Sequence, residues 1–316
     1  MTKAQSVVLS QPFMSSQFLS SASVGSGLYA SRFQSNIKTQ TIDGQNLYKT
    51  MVIGYDTRFL GTEYSNSYLG IGGQIISDQV MNGVMKFNTI GLNMAYHIYL
   101  DDNLYKNVSL GLGVMYNETS LDRSKLRFED QYDYTAQLTG NATLENLVPS
   151  PSTFSANASA LYTQHNDETF IQAGFSSFFF QKPNLTYSLV NKAPENKYRL
   201  FSSAEIPIFD IYTIAMHGNF LYQKTKNQYN VGASFGVPVI IDEDDVKRMY
   251  FGIYYRESEA FVPSVSLISN KYIFGVSYDI FNANKTVSTI RTNSFELSLS
   301  TSFGRKKTNL FRTIFD

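Results

Sequence analysis

Three histidines, His97, His165 and His217, are the only imidazoles on which acid–base or metal chemistry could be built, and none stands at a metal-ligand spacing. A zinc hydrolase needs paired ligands on one face, as in HExxH or CxxC, and the chain has neither motif and no cysteine. Serines abound, but no elbow stands out: Gly232-Ala-Ser-Phe-Gly236 lies inside an alternating, strand-like run, and Gly25-Ser26 lacks the GxSxG spacing and opens onto an extended segment, not a strand-to-helix turn. GxxxxGK[ST] and dinucleotide loops are missing too. Catalysis, cofactors and metals are therefore not expected. His97 and His217 are expected to hydrogen-bond to lumen neighbours.

Charged clusters offer binding chemistry instead. Asp242-Glu-Asp-Asp245 has no EF-hand spacing, and one turn rarely supplies six oxygen ligands, so it reads as a solvated turn. The segment 121–151 mixes Arg123, Lys125, Arg127 and Asp130 with Phe128, Tyr132 and Tyr134. Mixed charge with aromatics on a long loop suits a protein contact, or a plug folded into a mouth. These residues form the candidate partner-contact loop. The tail from Gly304-Arg-Lys-Lys307 to Asp316 is either a frayed end or a docking peptide for a periplasmic partner. Lys+Arg and Asp+Glu balance at 26 each, which argues against a nucleic-acid partner.

The elements that must carry these groups are strands. Aromatics make up 15% of the chain and charged residues only 16%, under the roughly 25% of an average soluble domain. No apolar run approaches the ~18 to 20 residues of a membrane helix. Instead, alternation with period two recurs from near residue 27 to the end. Ile90, Leu92, Met94, Tyr96, Ile98 and Leu100 share one face, while Gly91, Asn93, Ala95, His97 and Tyr99 share the other. At the end, Phe295, Leu297, Leu299, Thr301 and Phe303 oppose Ser294, Glu296, Ser298, Ser300 and Ser302, a serine face suited to a wet lumen.

Such runs place strands near 27–38, 46–59, 66–77, 84–100, 104–120, 152–163, 168–180, 195–208, 211–223, 228–240, 248–256, 260–268, 271–281 and 293–303. The count is about fourteen, even as single-chain bacterial barrels have it, and many strands reach the ~9 to 11 residues needed to cross a bilayer. The predicted fold is an all-β, antiparallel up-and-down transmembrane barrel in a bacterial outer membrane. Connections sort by parity. The turns 60–65, 101–103, 164–167, 209–210, 241–247 and 269–270 are short, whereas 121–151, 181–194 and 282–292 share the other end. Long loops are thus expected outside the cell and both termini in the periplasm. Tyr96, Tyr99, Tyr116, Tyr162, Tyr222 and Tyr255 are expected in interfacial girdles, in contact with outer-membrane lipid. The division is a periplasmic or plug-like segment over 1–26, a barrel over 27–304 and a periplasmic tail over 305–316. The start lacks an apolar export region, so the chain reads as mature or trimmed.

More specific motifs lie on this frame. Gln11-Pro-Phe-Met-Ser-Ser-Gln17-Phe18 leads through Ser20-Ser-Ala-Ser to Gly25 and Arg32. Then follow Leu69-Gly-Ile-Gly-Gly73 with Asp78, Ala95-Tyr96-His97, Leu110-Gly-Leu-Gly113 and the run Lys125-Leu-Arg-Phe128-Glu-Asp130. Phe274-Gly-Val-Ser-Tyr278-Asp279 and Ser294-Phe-Glu-Leu-Ser-Leu299 close the series. In order and spacing, nearly end to end, the chain resembles the PorP/SprF family of type IX secretion outer-membrane proteins of Bacteroidota. The resemblance implies a barrel that helps export, or retain at the surface, a secreted partner such as a large adhesin or its C-terminal secretion domain, with links to gliding motility. It also implies contact with other type IX components. The alternative is a passive porin or small-solute channel lined by the Ser/Gly/Asn face.

Overall fold

The structure, a computed structural model, describes residues 7–42, 45–60, 66–126, 131, 152–166, 169–180, 196–209, 211–224, 226–241, 246–256, 260–281, 292–306 and 312–316. Fourteen strands form one closed barrel. They are β1 (Tyr29–Ile42), β2 (Gln45–Leu60), β3 (Ser67–Val80), β4 (Met85–Tyr99), β5 (Lys106–Leu121), β6 (Ser152–His165) and β7 (Phe170–Phe180). The second half comprises β8 (Lys197–Ile208), β9 (Tyr212–Gln223), β10 (Lys226–Ile241), β11 (Val246–Arg256), β12 (Ala260–Ile268), β13 (Tyr272–Phe281) and β14 (Thr292–Lys306). Each strand pairs antiparallel with its sequence neighbours, and β1 closes on β14. Closure removes every free sheet edge, so all ladder N–H and C=O groups are satisfied without water, as a bilayer requires. No helix among the described residues is long and apolar enough to cross a membrane.

The period-two reading holds in detail. Leu92, Leu110 and Leu112 are 60–67% exposed while Asn93, Ser109 and His97 beside them are buried. An apolar row turned outward along every strand would cost ~25 cal/mol per Å² in water, so the outer surface demands lipid. Aromatic pairs ring the long-loop end of that surface: Tyr116–Phe154, Tyr198–Tyr222 and Tyr229–Tyr255–Phe261, with centroids 5.3–6.4 Å apart. Tyr99 is a correction to the girdle: it points inward, is buried, and lies 5.8 Å from Tyr68.

The seam between β1 and β14 sets the inner wall. Arg32, Gln34, Asn36 and Lys38 face inward opposite Ser302, Ser300, Ser298 and Glu296. All eight are nearly inaccessible. The serine face is therefore packed rather than wet. What covers it is the chain's own start. Residues 7–28 run up the lumen through a 3-10 turn (Pro12–Met14), a single helical turn α1 (Ser16–Leu19) and a second 3-10 turn (Ser21–Ser23). Residues 312–316, assigned from sequence to a tail beyond the barrel, are also buried in it. The reason is apolar: Ile314 and Phe315 join Phe13, Phe170, Phe201 and Tyr254 in one buried cluster.

Candidate functional site

The site is the lumen and the two chain ends that fill it. Short polar turns leave backbone N–H and C=O groups without partners, and each must find one on the wall. Glu296 supplies two: Oε2 accepts from the Ser10 N–H at 2.6 Å and Oε1 from the Gln11 N–H at 3.0 Å. Asp279 accepts from the Ser10 hydroxyl at 2.6 Å and pairs with Lys38 and Arg256 at 2.9 and 2.7 Å. Gln34 takes the Ser16 N–H, and Asn230 donates to the Ser10 carbonyl. Ser176 donates to the Leu19 carbonyl, and Ser159 accepts from the Ala22 N–H.

Near the short-turn end, Asp56 accepts from the Gly25 N–H at 2.7 Å and takes both Nε and Nη2 of Arg32 at 3.2 Å. Arg32 in turn donates to the carbonyls of Ser23 and Asp316, so one guanidinium ties the start and the end of the chain to β1. His97 stands behind Val24. Its Nε2 donates to the Val24 carbonyl at 2.7 Å, and its Nδ1 lies 2.7 Å from Ser109 Oγ, which in turn donates to Asn107 Oδ1 at 2.7 Å. The Ser109–His97 pair thus braces the inserted segment. His217 bonds to Ser203 and lies against Phe13, with centroids 5.2 Å apart.

The tail has its own anchors. Glu205 accepts from the Ile314 N–H at 3.0 Å and from the Tyr250 hydroxyl at 2.5 Å. Arg312 donates to Ser269 and Asn270 in the β12–β13 turn and to Ser302 on β14. Burial of this guanidinium lowers its pKa. Phe315 stacks on Phe170 at 5.7 Å and meets Phe13 edge-on at 5.5 Å.

Sequence reasoning did not find these anchors, and its glycines carried the signal. Where inserted segment and wall touch, the wall has no side chain. A Cβ on Gly70 would overlap the Val24 carbonyl, and one on Gly111 would overlap the backbone of Ala22. Gly72 would meet the Gln17 side chain and Gly275 the side chains of Gln11 and Met14. Inward-facing glycine at alternate positions of a long strand marks close backbone approach, not flexibility.

The candidate contact loop is only partly placed. Arg123 and Lys125 lie in a 3-10 turn after β5, and Lys125 Nζ bonds to the Asn82 carbonyl across the rim at 3.0 Å. Beside it the Ser124 hydroxyl holds the Asp122 carboxyl below the usual carboxylate range. Arg127, Phe128, Asp130, Tyr132 and Tyr134 lie outside the described residues, as do Asp242–Asp245.

Comparison with known proteins adds the following. The family model described as type IX secretion system membrane protein PorP/SprF matches residues 1–301. No curated protein matches the chain. Among solved structures, the CymD monoaromatic hydrocarbon channel is similar with a TM-score of 0.53 at 10% identity, over 95% of this chain and 94% of that one. The TodX deltaS2S3 mutant monoaromatic hydrocarbon channel gives 0.52 at 8% identity, over 92% and 94%. At such identities the likeness is one of fold.

Proposed function

The chain belongs to the PorP/SprF family of type IX secretion system membrane proteins, and from that premise we propose that this outer-membrane barrel acts by binding. It holds a secreted partner, such as a large adhesin or its C-terminal secretion domain, and helps export it or retain it at the surface. In this reading the long loops face outward and take the secreted partner. The short turns and the ends of β1 and β14 face the periplasm, where other type IX components dock.

The observation that supports binding over conduction is the occupied lumen. An open pore lined by serine would leave Ser298, Ser300 and Ser302 to water, whereas they are buried against the chain's own ends. Binding also suits the absence of an assembled nucleophile among the described residues. Ser109 has a histidine at 2.7 Å, but it is itself fully buried and its histidine is held by Val24. Purified protein is expected to release no fatty acid from phospholipid vesicles, and hydrolysis abolished by Ser109→Ala would overturn that part.

Conduction of small solutes is the competing reading. Full-length protein in planar bilayers is expected to give no stable large channel, and affinity purification from its native membrane is expected to retain a secreted type IX substrate. A stable large conductance with no retained substrate would favour the channel.

A further inference from the structure

The inserted segment fills the lumen unevenly. In its short-turn half it packs against β3, β5 and β6 through Gly70, Gly111 and Ser159, but toward the long-loop end it leaves a cavity of about 130 Å³ between Phe18 and the walls of β3–β9. Phe18 of the segment is part of its floor, and Gln74, Phe178, Lys197, Arg199 and Leu221 are among its walls.

Arg199 in this cavity differs from three other cations of the lumen. Arg32, Lys38 and Arg256 each face a carboxylate at 3.2 Å or less. Arg199, 6% exposed, faces no carboxylate among the described residues. It donates to the Phe18 carbonyl, lies over the rings of Phe18 and Phe178 at 4.6 and 5.7 Å, and leaves its Nε without a hydrogen-bond partner. Lys197 lines the same cavity two residues toward the rim. Gln74, 3% exposed, has neither its amide oxygen nor its amide nitrogen bonded. A buried cation that faces no carboxylate and a buried amide without a hydrogen bond are costly unless something else completes them.

We propose that this cavity is a binding site for a carboxylate carried on an apolar body, with Arg199 and Lys197 taking the charge and the Gln74 amide completing its hydrogen bonds. Phe18, Phe178 and Leu221 supply the apolar walls. A planar guanidinium with a free Nε–H suits a carboxylate better than a point cation does. The carboxylate has two sources, a free small acid or the C-terminus of a polypeptide entering the mouth; the second rests on the partner-binding reading above, the first does not.

The test uses the full chain in detergent micelles and calorimetric titration with 3-phenylpropionate and its neutral isostere 3-phenylpropanamide. A pair of peptides ending in phenylalanine, with free or amidated C-terminus, runs alongside. The acid of at least one pair is expected to bind at least about tenfold more tightly than its amide. Arg199→Gln should remove about that factor and Arg199→Lys should restore part of it. Because Arg199 also holds Phe18, Lys197→Gln, which does not, is titrated as well and should weaken binding in the same direction. Preference for the free acid assigns the site to a small molecule, and preference for the peptide acid alone assigns it to a chain terminus. Equal binding of acid and amide in both pairs, no binding of any probe, or unchanged affinity in both Arg199→Gln and Lys197→Gln would overturn the proposal while leaving the co-purification result untouched.

Discussion

Replacing Asp56 with alanine removes the acceptor of four donors at once: two guanidinium nitrogens of Arg32, the backbone N–H of Gly25 and the side-chain amide of Gln17. A buried cation stripped of its partner costs about 3 to 5 kcal/mol, against about 1 kcal/mol for a neutral hydrogen bond. Asp56→Ala is therefore expected to lower unfolding free energy in guanidinium by about that larger amount, and a loss under about 1 kcal/mol would contradict the bracing role. Glycines give a cleaner comparison. Gly111→Ala puts a methyl group into the Ala22 backbone, an overpacking worth about 1 to 3 kcal/mol. Gly218→Ala meets nothing nearer than 3.7 Å and should stay within about 0.5 kcal/mol of the parent. Equal effects would mean that the inserted segment does not press on β5.

At the scale of elements, the strands were legible because period two is a property each residue carries by itself. The strand expected near 84–100 is Met85–Tyr99, and that near 260–268 is Ala260–Ile268. Ends drifted where hydrogen bonding outlasts the apolar alternation, as at β1, which continues to Ile42 through Lys38-Thr-Gln-Thr. The inserted segment was harder to read. Ser15-Ser16-Gln17 and Ser20-Ser-Ala-Ser show no period, and their burial depends on Gln34, Asn36 and Ser159, which lie up to 138 residues away. Local sequence does not encode such partners. The tail was legible in content, since Ile314 and Phe315 are apolar, but not in destination. Deleting residues 7–24 should leave the strand ladder intact and open the lumen. Channel conductance in planar bilayers should appear in the deletion and not in the parent. A deletion variant that stays silent while keeping its heat-modifiable mobility would show that the segment is not what closes the barrel.

For the whole molecule, two surfaces of opposite character share each strand. Arginine in place of Leu112, which faces outward at mid-strand, should cost about 2 to 4 kcal/mol of stability in lipid vesicles. The same substitution in soluble detergent should cost less, since micelles yield to a charge more readily than a bilayer does. Equal losses in both media would argue against a lipid-facing outer wall. The molecule is also a sum of opposing requirements. Lipid fixes its outside, while its inside is specified by its own two ends, each held by carboxylates and guanidinium groups.

The meeting of those ends at one strand pair has a kinetic consequence. Ser10 lies 286 residues from Glu296 in sequence, and Arg32 lies 284 from Asp316, so the contacts that finish the lumen span nearly the whole chain. Loop closure over such separations is slow, and rates fall as contacts become more non-local. Phe315 rests on Phe13, so the seat of residues 312–316 is complete only when residues 7–28 are in place. The expected order of assembly follows: residues 7–28 settle, β1 meets β14, and residues 312–316 enter behind them. Refolding followed by protease protection at the C-terminus should lag strand formation, and Phe13→Ala should lengthen that lag without slowing the earlier phase.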